Sequence, residues 1–148
     1  MLHRWQGFAA ALLLVTASPA FAADDVVMLP VAAAINTQEA QQKLPNSVKF
    51  YFGTQPVGGI AQTFDQFVAN RKTNAFGKTT SASCQRAFLS ALISLHQRAE
   101  AVGANAVIHI VSYYRKHVVS SETEYECHKG FLMAGVALRG EVVRLAAP

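Results

Sequence analysis

An α+β domain is the fold class that this sequence predicts: a mainly antiparallel sheet with one long helix packed on one face and a single disulfide. Three observations predict it. Apolar residues alternate with polar ones in several separate stretches, the period of strands with one buried face. One stretch, from Cys84 to Val102, instead repeats its apolar residues every three or four positions, the period of an amphipathic helix. Finally, the 148 residues contain two cysteines, Cys84 and Cys127.

The elements follow in chain order. Residues 1–22 have the layout of a secretory signal peptide: His3 and Arg4, the apolar run Phe8 to Val15, a break at Ser18-Pro19, then Ala20-Phe21-Ala22 before Asp24-Asp25. Cleavage is expected near Ala22 or Ala23. The apolar run is too short to cross a hydrocarbon core, which needs roughly 20 residues. No cysteine lies near the cleavage site, so a lipoprotein is not indicated. Residues 23–148 then form a single domain, large enough for a real core. Thirteen Lys and Arg against nine Asp and Glu give a formal net charge of +4. This modest balance suits an anionic envelope surface or an acidic protein, and is too small to argue for nucleic acid.

Val26 to Met28 predicts a short strand, the stretch after Pro30 a helical turn, and Thr37 to Leu44 a short helix that stops before Pro45. Val48, Phe50 and Phe52 alternate with Lys49 and Tyr51 as a strand does. Gly53 to Gly59 is a turn. Ile60 to Lys72 is ambiguous, since Phe64, Phe67 and Val68 also allow a helix, and is assigned as a strand. Asn74 to Ser83 is a loop in which Thr80, Ser81 or Ser83 caps the next helix. That helix buries Cys84, Phe88, Ala91, Leu95, Ala99 and Val102, turns Gln85, Arg86, Gln97, Arg98 and Glu100 outward, and ends at Gly103. Asn105 to Tyr114 is a central strand. Arg115 to Glu126 is a polar hairpin loop, and Gly130 to Leu145 a last strand with Leu132, Ala134, Val136 and Leu138 on one face and a bulge at Gly140.

Chemistry is sparse. Gly77-Lys78-Thr79 resembles the end of a phosphate-binding loop, but the glycine required five positions earlier is Lys72. No G-x-S-x-G elbow occurs. Glu122, Glu124 and Glu126 are placed on a solvated loop face, so the chain is expected not to be an enzyme and to need no cofactor. The alternative function is a small-ligand or metal-binding protein using His109, His117 and His128. Against it, neither these nor His96 show zinc spacing, and His109 sits among apolar neighbours as a core histidine does. In an exported chain two cysteines point to a disulfide, closing a loop of about 44 residues worth roughly 4 kcal/mol in the chain-entropy model. Arg71, Lys72, Lys78 and Arg86 flank Cys84, while Arg115, Lys116 and Lys129 flank Cys127. A bridge would draw these cations toward one contact patch for an envelope protein or an anionic lipid or glycolipid surface.

Gly103-Ala104-Asn105-Ala106-Val107, followed by Cys127-His128-Lys129-Gly130-Phe131-Leu132-Met133-Ala134-Gly135-Val136-Ala137-Leu138, resembles the RcsF-like envelope-stress sensors and, more distantly, the YbjQ-like family of small α+β domains. The resemblance implies a periplasmic binding or envelope-sensing module without enzymatic activity. It implies a bridge between Cys84 and Cys127, and places the family's second bridge at Ser112 and Met133, where this chain has no cysteine. The sequence is also similar to small exported bacterial proteins often labelled excinuclease ATPase subunits, a label its incomplete phosphate loop does not support.

Overall fold

The sheet is organised around its last strand. In the computed structural model, which describes residues 24–147, β6 (Met133–Leu145) pairs along one edge with β3 (Ile60–Asn74), antiparallel from Ile60↔Leu145 to Asn74↔Met133. Its other edge is shared. β5 (Glu124–Lys129) takes the start of β6, with His128 opposite Gly135, and β4 (Ala106–Ser112) takes the rest, with Ala106 opposite Val143. β1 (Asp25–Pro30) extends the sheet beyond β5. At the far side β2 (Lys49–Phe52) runs parallel to β4, the one parallel pairing among the described residues. A parallel pair needs a long crossover, and β3 together with the long helix α3 (Thr80–Val102) supplies it. Two short helices, α1 (Val31–Ile35) and α2 (Gln38–Lys43), lie between β1 and β2. The result is a curled mixed sheet with one long helix, an α+β fold as expected.

α3 is legible in its side chains. Cys84, Phe88, Ala91, Leu95 and Ala99 are all fully buried, joined by Ala87 and Leu92. Gly103 closes the helix with φ +76°, a left-handed conformation that glycine adopts without steric cost. The start differs from expectation. The helix begins at Thr80, so the cap is Thr79, whose hydroxyl accepts from the Ala82 N–H at 3.1 Å. Arg98 also departs from the expected outward face: it reaches Asp65 and lies over the Phe67 ring, both on β3.

The strands hold three further corrections. β3 is a strand, and its register shifts between Thr63 and Asp65. A bulge there lets Phe64 and Phe67, three residues apart, both pack on the helix side, which explains the helix-like spacing. The bulge placed at Gly140 belongs to β4. Ile108 pairs with Glu141 and Val111 with Arg139, so His109 and Ile110 together oppose Gly140. His109 takes φ +50° and is exposed beside Glu141 at 3.3 Å, not in the core. Gly140 is required because a Cβ there would stand 2.5 Å from Val107 Cγ1 and 3.1 Å from Ile110 Cγ1. Gly140→Ala should therefore cost about 1–3 kcal/mol in a urea melt through overpacking; an unchanged midpoint would refute that account. Leu132 lies outside the strand and is exposed, and the expected hairpin loop is shorter, since Glu124 already begins β5.

The core centres on Phe88, stacked on Tyr125 with ring centres 3.9 Å apart and tilted against Phe52. Beside the stack, Cys84 and Cys127 form a disulfide with both residues fully buried, tying the first turns of α3 to β5. The Tyr125 hydroxyl is buried without a hydrogen-bond partner, and burial pushes its pKa well above the ordinary phenol value. Above about pH 10 the unfolded chain would hold fewer protons than the folded one, so stability falls as pH rises. Tyr125→Phe removes an unsatisfied group while keeping the stack. It should raise stability by about 1 kcal/mol at neutral pH and flatten the alkaline loss; a destabilised variant in pH-dependent melts would count against an unpaired hydroxyl.

Candidate functional site

β5 carries the sequence Glu-Tyr-Glu-Cys-His-Lys, and strand alternation sends its side chains to opposite faces. Tyr125 and Cys127 point to α3. Glu126 and His128 therefore point to the outer face, where His128 Nε2 and Glu126 Oε1 are 2.6 Å apart. Their side chains are only 16% and 10% exposed, His128 first. Tyr114 stacks on the His128 ring at 3.6 Å, and the Arg115 guanidinium lies 5.5 Å from the Tyr114 ring centre. A short 3-10 turn, Tyr114–Lys116, sets this up: Arg115 and Lys116 have φ of +49° and +66°, which turns the chain back over Tyr114. The Glu126 N–H donates to the buried Ser112 hydroxyl at 2.9 Å, fixing β5 beside β4. Around the pair lies a cleft of about 620 Å³ that His117, Arg115 and Asp24 also line. Glu126 is thus a buried, paired acid, where the sequence suggested a solvated loop.

The cations do not converge into one patch. Cross-strand register puts Lys72, Gly135, His128 and Val26 in one row on the outer face. Lys72 and Tyr114 meet over Gly135, whose missing side chain leaves room for both. Arg71, the next residue in β3, is on the opposite face and donates to the Ser94 hydroxyl of α3 at 2.8 Å. Arg86 sits on the exposed side of α3 toward α2. There the Glu39 carboxyl is held below its usual range, first by its hydrogen bond to and the charge of Lys43, and to a smaller extent by Arg86. Lys78 lies in the turn before α3, and alternation along β5 puts Lys129 on the helix side. The disulfide brings the two segments together, but the two-faced strands distribute their charges. Among the described residues, none of these seven cations has a carboxylate oxygen within 4.0 Å.

The histidines separate likewise. His117 and His128 line the cleft, His109 stands at the β4 bulge, and among the described residues no three His, Cys, Asp or Glu side chains are grouped to hold a metal ion. The core histidine is His96, buried with Nε2 at 3.2 Å from both the Ser47 hydroxyl and the Pro45 carbonyl. Ser112 pairs with Leu138, five residues along β6 from Met133. Roughly 16 Å of strand separates these rows, so the two places implied for a second bridge do not meet. Gly77-Lys78-Thr79 forms a turn, with the Lys78 N–H donating to the Ala75 carbonyl and Thr79 occupied as the helix cap.

Two surfaces lay outside the sequence reasoning. The largest cavity, about 1030 Å³, runs between α1–α2 and β2, with Ile35, Leu44 and Phe50 in its lining, and it takes in none of the seven cations and none of His109, His117 and His128. The second is the apolar tip formed by Phe76 and Phe131 to Met133, whose signal in sequence is the run Gly130-Phe-Leu-Met, which by itself reads as the start of a strand. No helix of the described residues is long and apolar enough to cross a membrane, which together with the disulfide is compatible with an exported domain. The expected signal peptide, residues 1–22, and its cleavage site lie outside the described residues. Comparison of the chain with protein-family models, with curated proteins and with solved structures finds no match.

Proposed function

We propose that the protein is an exported, periplasmic binding or envelope-sensing module of the RcsF-like, YbjQ-like kind. It carries out no catalysis of its own and contacts an anionic envelope component or protein partner. The observation that carries this reading is the set of seven cations without carboxylate partners among the described residues, all but Lys129 exposed on the surface. Unneutralised charge of one sign raises the local concentration of anionic partners and steers their approach. The absence of a catalytic role is supported by the thiols, since both cysteines are consumed in a buried bridge and neither is available as a nucleophile.

The test is equilibrium binding to micelles of an anionic glycolipid and to poly-glutamate. The variant Lys72→Ala/Lys78→Ala/Arg115→Ala/Lys129→Ala should bind at least about tenfold more weakly, given roughly 1 kcal/mol per cation near an anionic surface. Wild-type binding should weaken as ionic strength rises. Equal affinity of variant and wild type would sink the proposal.

A further inference from the structure

One end of the molecule exposes an apolar surface that the fold does not use. The β5–β6 turn and the β3–α3 turn lie side by side there, joined by the hydrogen bond from the Ala75 N–H to the Leu132 carbonyl at 2.8 Å. Phe131 is 77% exposed, Leu132 59%, Phe76 58% and Met133 46%. Phe76 and Phe131 meet edge to face, their ring centres 5.3 Å apart, so the two turns present one continuous surface. Single exposed apolar residues are ordinary, but a contiguous cluster at a protruding tip is not.

Charge and chain entry identify what covers it. Lys78 and Lys129 each stand two residues from an aromatic of the tip, and Lys72 precedes Asn74, the last residue of β3. These cations outnumber the acids at this end, Asp24 and Asp25. Apolar side chains ringed by lysines are the composition of a surface that enters the headgroup region of an anionic bilayer. Asp24 independently marks the same end: its Oδ1 would stand 2.6 Å from a Cβ placed on Gly130, next to Phe131. The apolar segment Phe8 to Val15 therefore joins the domain where the tip protrudes. The large groove beside β2 lies toward the other end of the sheet. Lys49 is level with Ala106 and Val143, ten residues along β6 from Met133, or about 33 Å.

We propose that Phe76, Phe131, Leu132 and Met133 form a membrane-docking tip that seats the domain on an anionic lipid bilayer, leaving the β2 groove facing away from it. The inference rests on the proposed affinity for anionic partners and names the bilayer as the partner.

Sedimentation with phosphatidylglycerol–phosphatidylcholine vesicles tests it, using the oxidised protein, Phe131→Ser/Leu132→Ser, and Lys78→Gln/Lys129→Gln. The wild type should bind the mixed vesicles at least about tenfold more tightly than phosphatidylcholine alone. Phe131→Ser/Leu132→Ser should lose about tenfold or more on the mixed vesicles, because two apolar side chains no longer leave water. Its thermal midpoint should be unchanged, since both side chains are exposed in the fold. The lysine variant should lose the preference for anionic vesicles. If the serine variant binds like the wild type while the lysine variant fails, the tip does not dock and the affinity for anions stands. If the wild type ignores these vesicles but binds poly-glutamate, the bilayer is the wrong partner and the binding-module reading survives. If it binds neither, both fall.

Discussion

Replacing both Cys84 and Cys127 by alanine should destabilise the domain by about 4 kcal/mol, the loop-closure entropy that a bridge between residues 43 apart removes from the unfolded chain. For a domain of this size that is a fall in melting temperature on the order of 15 °C. The bridge joins the first turns of α3 to β5, elements whose only covalent connection otherwise runs through the rest of α3, β4 and the turn after it. Without it the unfolded chain gains freedom while the native contacts of Phe88, Tyr125 and Leu92 remain. The variant should therefore stay folded at low temperature and melt early. Reduction of the wild type should give the same midpoint as the variant, and should be slow under native conditions because both cysteines are fully buried. A variant that melts within a few degrees of the oxidised wild type would show that the bridge contributes little.

Phe88→Ala should cost about 3–5 kcal/mol, the range for truncating a fully buried aromatic whose site cannot collapse. The ring lies between α3 and the sheet, stacked on Tyr125 and against Phe52, and both neighbours are themselves buried, so a void would persist. Phe88→Leu should recover roughly half of the loss. Because Phe88 is one helical turn from Cys84, combining Phe88→Ala with the double cysteine variant should give a loss different from the sum of the two. Additive losses in urea melts would show that the stack and the bridge stabilise the fold independently.

Local patterns carried most of the fold. The three-four spacing of Cys84, Phe88, Ala91, Leu95 and Ala99 is a helix in any context that offers an apolar surface, and Gly103 ends it for reasons internal to glycine. The alternation around Phe50, and the β-branched run from Ala106, are strands on the same logic. The cleft was less legible. His128 and Glu126 are two apart, which puts them on one face of a strand and on different faces of a helix. With this segment assigned to a loop, there was no reason to pair them. Likewise Arg71 and Lys72 are neighbours in sequence and belong to opposite faces of the sheet, so a tally of charges near the cysteines overstated their convergence.

What the sequence determined by itself is what depends on near neighbours: helix and strand periods, the stop of the long helix, the α+β class, and the presence of two cysteines fit to join. The tertiary structure alone decided what depends on register. Opposing Gly140 to the His109–Ile110 bulge moved His109 out of the core, pairing β5 with β6 set His128 under Tyr114, and the adjacent turns gathered Phe76 and Phe131 at one end. The physical reason is that a strand's side chains take their face from its pairing, and one residue of shift exchanges the buried set for the exposed one.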